Sequence, residues 1–229
     1  MSVYIPNVGE KEALKSILMQ QALILGLYKN QIIPDGNTIF ETLEELPSGG
    51  GRGYAAKPLT NNILEGAPVA DKWAVSINSA GKAEAQYSNA AQEWTFLQPD
   101  VNDGNTVYGV FGYVLALPFD AGSQEIKVGD TVTGQSSGAA GVVTGIAVMS
   151  GAWGTSDAAG FMYLKSKTGA FQNDENLQVG GVTKAVSNTG AGGDAHKRLL
   201  FVEALSEAIK IDTLGQKIGY TPKLAMSTT

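Results

Sequence analysis

Polar positions nearly vanish over NTVYGVFGYVLAL (Asn105–Leu117), a pattern that predicts a long, mostly buried β-strand. Strand side chains point to opposite faces with period two, so Val107, Phe111, Tyr113, Leu115 and Leu117 fall on one face. Tyr108, Val110, Val114 and Ala116 fall on the other. Both faces are apolar, which suits a central strand better than an edge strand. A continuous apolar run also suits a buried helix, but the β-branched and aromatic content, with Gly109 and Gly112 inside, opposes one. The run is expected to stop at Pro118.

Before this strand, Asn7–Gln21 predicts a short helix. Asn7 is its candidate cap, and Glu10 and Glu12 occupy the first turn, where the helix dipole favours them. Leu14, Ile17, Leu18 and Gln21 line one side. Ala22–Asn30 reads as a strand, Pro34–Asn37 as a turn, and Thr38–Leu46 as a short strand or irregular loop. Pro47–Gly53 reads as a loop and Tyr54–Leu59 as an extended segment placed at an edge by Pro58. Trp73–Asn78 and Lys82–Tyr87 predict a hairpin, and Glu93–Gln98 a strand with Trp94 and Phe96 on one face. Asp100–Asn105 reads as a polar turn into the central strand.

The character of the chain changes over Ile126–Gly190, where strands alternate with Gly/Ser turns: Thr131–Gly134, Gly141–Met149, Phe161–Lys165 and Asn176–Val182. Val128–Gly141 is loosely echoed by Val179–Gly193, which fits a small barrel that ends much as it begins. Strands at Leu199–Glu203, Ala208–Ile211 and Lys217–Ala225 match the apolar character of residues 22–117. The expected fold is mainly β: an antiparallel β-sandwich, jelly-roll-like, with a short N-terminal helix and an inserted small β-barrel module. Its expected parts are an arm and helix over 1–21, a sandwich over 22–125 plus 191–229, and a barrel over 126–190. An insertion at a hairpin end is tolerated because loop-closure entropy grows slowly with length.

Composition sharpens this picture. The chain has 229 residues, enough for one large β domain or two smaller ones, and its 29 glycines with 17 % charged residues favour short strands and tight turns. The net charge of −6 opposes a nucleic-acid or anionic-membrane partner. The excess acid lies in residues 1–125, with 7 basic and 14 acidic side chains, whereas 126–190 hold 4 of each, as a separate module would. The absence of cysteine excludes disulfides, thiolate zinc sites and cysteine nucleophiles. Glu10, Lys11 and Glu12 precede the first apolar cluster, so no secretion signal is expected. Ala22–Tyr28 is too short to span a bilayer, and a soluble product of a cytoplasm is expected.

Candidate chemistry is sparse. His196, the single histidine, follows a glycine-rich loop and has no evident serine or carboxylate partner, so a surface or hinge position is expected. Asp120, Asp130, Asp157 and Asp174 are expected in turns without the alternating acids of a calcium loop. Glu41, Glu44 and Glu45 read as a solvated acidic edge rather than an acid/base pair. The PSGGGRG loop lacks the Lys-Ser/Thr and helix start of a phosphate cradle. Trp153 is expected to plug the end of the small barrel, with sugar stacking as the functional alternative. No catalytic, cofactor-binding or metal site is expected, and no enzyme activity.

LGLYKNQIIPDGNT (Leu25–Thr38), GYAAKPLT (Gly53–Thr60), EWTF (Glu93–Phe96), VYGVFGYV (Val107–Val114) and IGYTPKLAMS (Ile218–Ser227) together resemble a group of tailed-bacteriophage virion structural proteins. The stretches Val128–Gly145 and Gly169–Gly181 are similar to a Gly/Thr-rich β module that recurs in phage head and tail proteins. The chain departs from shorter members of the group by this long insert. The resemblance implies a capsid decoration or cement protein that binds the major capsid protein or other virion proteins, within a virion assembled in the host cytoplasm. It implies a homo-oligomer, a trimer being one form, with no nucleic-acid or membrane partner and no cofactor. Leu14, Ile17, Leu18 and Trp153 are the candidate partner-binding residues. The alternatives are a tail or fibre adaptor, or a host-recognition carbohydrate-binding module using Trp153 and the loops around Ser136–Ala140.

Overall fold

The computed structural model describes residues 7–20, 23–48, 52–97, 106–191 and 193–225. Helix α1 (Asn7–Gln20) precedes strands β1 (Ile24–Tyr28), β2 (Lys57–Pro58), β3 (Ile63–Glu65), β4 (Trp73–Ile77), β5 (Ala83–Tyr87), β6 (Gln92–Thr95) and β7 (Thr106–Gly122). Then come β8 (Thr131–Gly134), β9 (Ala140–Ser150), β10 (Ala158–Thr168), β11 (Asn176–Val179) and β12 (Val182–Ser187). The last strands are β13 (His196–Lys210), β14 (Lys217–Tyr220) and β15 (Lys223–Ala225). Strands take 49 % of the residues and helix 9 %, so the protein is mainly β, with one N-terminal helix and antiparallel sheets. The β3–β4 pair is parallel. No described helix is long and apolar enough to cross a membrane.

The chain divides into two compact units. The first contains α1, Leu23–Tyr113 and the chain from Leu199 onward; the second is chiefly Val114–Arg198. Both boundaries fall inside strands, β7 and β13, so the second unit is wider than the 126–190 segment that composition sets apart.

In the first unit β1 pairs antiparallel with β7, from Ile24 opposite Tyr113 to Tyr28 opposite Gly109. Two glycines make this pairing work. The Phe111 ring lies where a side chain on Gly26 would stand, and Tyr28 does the same over Gly109. Phe40, in a single 3-10 turn (Phe40–Thr42), packs on Phe111 and Tyr113 with ring centres 5.6 and 5.4 Å apart. Lys57 and Pro58 of β2 pair with the other side of β1, at the edge position that Pro58 suggests. A second sheet runs β15–β5–β4–β3, and β14 pairs with β6. The β4–β5 hairpin turns on Asn78, whose side-chain oxygen accepts the N–H groups of Ala80 and Lys82, both at 3.0 Å. α1 buries Glu10, Leu14 and Leu18 on one face, while Lys11 and Lys15 reach Glu65 of β3.

In the second unit the pairings form a circuit. The latter part of β7 pairs with β10, β10 with β9, β9 with β8, β8 with β11, β11 with β12, and β12 with β7 again. The apolar residues enclosed include Leu117, Phe119, Val132, Met162, Leu164 and Leu177. Alternation along each strand produces this: in β8, Val132 is buried between exposed Thr131 and half-buried Thr133.

Several expectations are corrected. β7 does not stop at Pro118 but continues to Gly122. The Pro118 carbonyl accepts the Asn188 N–H (3.0 Å) just where β12 has ended, so on that side the ladder needs no donor from residue 118. Asp120 therefore lies in a strand, not a turn. Asn176–Val182 is broken by Gly180 and Gly181, whose φ values of 59° and 80° make the two-residue turn between β11 and β12. Leu199–Glu203 and Ala208–Ile211 belong to one continuous strand, β13. Thr221 and Pro222 interrupt Lys217–Ala225, and β3 has no counterpart among the predicted strands. Thr38–Leu46, expected as a short strand or an irregular loop, is the latter: a 3-10 turn followed by a single bridge from Glu45 to Tyr28. Asn7, the candidate cap, is a helical residue, the first of α1 as described. The arm over 1–6, Gln21, loop residues 49–51, Gln98 and the turn Asp100–Asn105 lie outside the described residues.

Candidate functional site

The four residues singled out for partner binding take different positions. On α1, helical spacing puts Leu14 and Leu18 on the inward face, 4 % and 2 % exposed. Both are used inside the first unit. Ile17 is 39 % exposed, and Val8 and Met19 are the other large apolar residues left open on this helix. The helix is held from below by apolar burial and at its flank by ion pairs. Lys15 binds both Glu12 (2.8 Å) and Glu65, and Lys11 lies 3.2 Å from Glu65. The Asn61 amide donates to the Met19 carbonyl at 2.9 Å, fixing the last turn.

Trp153, in the second unit, opens a 3-10 turn (Trp153–Thr155) that Asp157 holds by accepting the Ala152 N–H at 2.9 Å. Its ring lies parallel to that of Phe119, 5.2 Å apart and inclined by 7°. The ring packs against the core of the unit, and Gly122 leaves space for it. Trp153 also lines a shallow groove of about 330 Å³ with Ile126, Lys127, Val128, Ile146 and Val148. None of Ser136–Ala140 lines this groove, so the tryptophan and those loops do not form one surface there.

The Ser136–Ala140 turn is instead tied down from within. Glu175, 4 % exposed, accepts four hydrogen bonds: from the N–H groups of Ser136 (3.0 Å), Ser137 (2.9 Å) and Gln172 (2.7 Å), and from the Ser137 hydroxyl (2.8 Å). Burial alone pushes the carboxyl pKa up, but these donors outweigh it and hold the carboxyl below the usual glutamate range. Glu175 is thus a clasp between two loops, with its acceptor capacity occupied. The sequence offers no signal for it, because NDEN reads as an ordinary polar turn.

His196 begins β13, is exposed, and its Nε2 lies 3.0 Å from the Thr189 carbonyl oxygen. It borders a groove of about 360 Å³ with Phe119, Met149, Phe161 and Asn188. The Arg198 guanidinium lies over the Phe161 ring at 4.7 Å. Of the three acids at 41–45, Glu41 and Glu44 are exposed, while half-buried Glu45 accepts the Tyr54 hydroxyl at 2.9 Å. Tyr54 in turn accepts the Leu27 N–H at 3.1 Å, and burial, with Glu45 beside it, pushes the phenol pKa up. Among the described residues no group of three or more His, Asp or Glu side chains is placed to hold a metal ion.

The site geometry therefore consists of surfaces: the open side of α1, the Trp153 groove and the long strand β13. Comparison of the chain with family models, with curated proteins and with solved structures returned no match in any of the three.

Proposed function

We propose that the protein is a structural component of a tailed-bacteriophage virion: a capsid decoration or cement protein that binds the major capsid protein and stabilises the head. In this reading the first unit is an antiparallel β-sandwich of jelly-roll type, and the circuit of paired strands in the second is a small β-barrel. No catalytic, cofactor or metal chemistry is assigned to it. The observation that carries the reading is the two-sidedness of α1. One face is anchored by Leu14, Leu18 and the Lys–Glu65 pairs, while Val8 (67 % exposed), Ile17 and Met19 (59 % exposed) stay uncovered. A fixed helix with apolar side chains turned outward suits docking against a protein surface. Repetition over a capsid lattice would compensate for modest single contacts through avidity.

The test is binding of the purified protein to expanded empty capsids that lack it, with copies per particle counted by quantitative mass spectrometry. Hundreds of copies per particle are expected. Failure to bind overturns the capsid reading. A handful of copies in complete particles would move the protein to the tail or a fibre, where host recognition becomes the role to test.

A further inference from the structure

β13 spans 15 residues, pairs with β7 and, among the described residues, pairs with no second strand. Among the described residues, then, no strand takes up the N–H and C=O groups of its other side; of its carbonyls, that of Glu203 accepts the Tyr28 hydroxyl at 3.4 Å and that of Lys210 the Gln216 amide at 2.9 Å. Proteins that leave such an edge unpaired usually shorten it, bulge it, or break it with proline. The β13 sequence, HKRLLFVEALSEAIK, contains no proline and no glycine. Leu199, Phe201, Val202 and Leu205 are only half-buried, and Leu200 is 41 % exposed. The strand is charged, but its charges are ordered: Lys197 and Arg198 stand before the apolar run, Glu203 and Glu207 within and after it.

We propose that a second copy of the chain adds to this edge, antiparallel, about a two-fold axis at Val202. Such an axis stands perpendicular to the sheet and keeps each face on its own side, so directly opposite residues share a face. Val202 then meets itself, Leu199 meets Leu205, Leu200 meets Ala204, and Lys197 meets Glu207. Each unlike pair occurs twice, so two Lys–Glu pairs bracket a centre that is apolar apart from Glu203. Of the other two pairs, Arg198 meets Ser206 and Phe201 meets Glu203; in each copy Tyr220 donates to the Glu203 carboxylate at 2.7 Å and stacks on Phe201 with ring centres 6.4 Å apart. Parallel addition in register would set Lys197 against Lys197 and Glu207 against Glu207, which charge opposes. A one-residue slip of the antiparallel register would turn the matched residues to opposite faces. The strand is self-complementary, and this selects a second copy over an unrelated chain. The inference rests on β13 alone and is independent of the virion reading. It gives a two-fold dimer, not the trimer that the family resemblance suggests.

The experiment uses the full chain in solution. Sedimentation should show a dimer. Lys197→Glu or Glu207→Lys alone brings like charges together and should raise the dissociation constant about tenfold or more, and the double swap should restore it. The protein has no cysteine of its own. Val202→Cys therefore places one thiol directly opposite its copy, at an antiparallel Cα separation of about 4.5–5.5 Å, within disulfide reach. Mild oxidation should convert it to covalent dimer, and should not do so for Ala208→Cys. Circular dichroism checks that each variant is folded. A monomer at all concentrations, a trimer, equal cross-linking at both positions, or charge reversals without effect would each overturn the proposal.

Discussion

A carboxylate that is nearly out of water yet ionised, as Glu175 is, must be held by donors, and four of them hold it. Glu175→Gln removes the charge and turns one acceptor into a donor facing N–H groups. It should cost about 1–3 kcal/mol, read from denaturant unfolding at neutral pH. The pH dependence has a definite sign. The folded chain binds this proton more weakly than the unfolded chain does, so the clasp stabilises fully above the ordinary glutamate pKa of about 4.3. That contribution is lost as pH falls through the lowered folded value. Thermal midpoints measured from neutral to acid pH should fall more for the wild type than for Glu175→Gln; parallel curves would refute the clasp. The sequence could not point to Glu175, because its donors come from the turn at 136–137, 38 residues or more away, and from a backbone N–H at 172. Trp153 is more legible. A large aromatic in a small β module is expected to pack inward, and its ring is stacked on Phe119 against the unit's core.

α1 shows how far periodicity reaches at the level of an element. The spacing of Leu14, Ile17 and Leu18 predicts one apolar side, and the helix forms over nearly the expected residues. Yet Ile17 sits at the margin of that side, and only Leu14 and Leu18 are buried. Leu14→Ala should therefore destabilise the protein by about 2–5 kcal/mol. Ile17→Lys should change stability by no more than about 0.5 kcal/mol, while lowering the number of copies bound per empty capsid. If Ile17→Lys left capsid binding intact, the open side of the helix would not be the docking face. Strand boundaries are less legible than strand existence. The end of β7 is hidden because proline blocks a ladder only where its donor is needed, and that depends on where β12 stops. β13 reads as two strands because Ala204, Ser206 and Glu207 interrupt the apolar run, although the strand, which pairs with β7, continues through them without a break.

For the whole molecule, the mainly β class is readable from glycine content, alternation and turn residues, and the change of composition near residue 126 falls inside the second unit, not at its edge. The unit boundaries inside β7 and β13 are not readable, because a strand shared between two compact units looks uniform in sequence. A purified module cut at 126–190 would lack the part of β7 that completes the circuit, so an expressed fragment should begin near Val114 to fold. The circuit has a further consequence for motion. An open sheet can fray from its last strand inward, but a circuit offers no outermost strand to peel away. Amide protons in the ladders of β8–β12 should then exchange with solvent through one shared opening event rather than in a graded series. Measured by hydrogen exchange, those strands should share a common protection level, whereas the end strands β3 and β15 of the first unit should exchange ahead of β4 and β5.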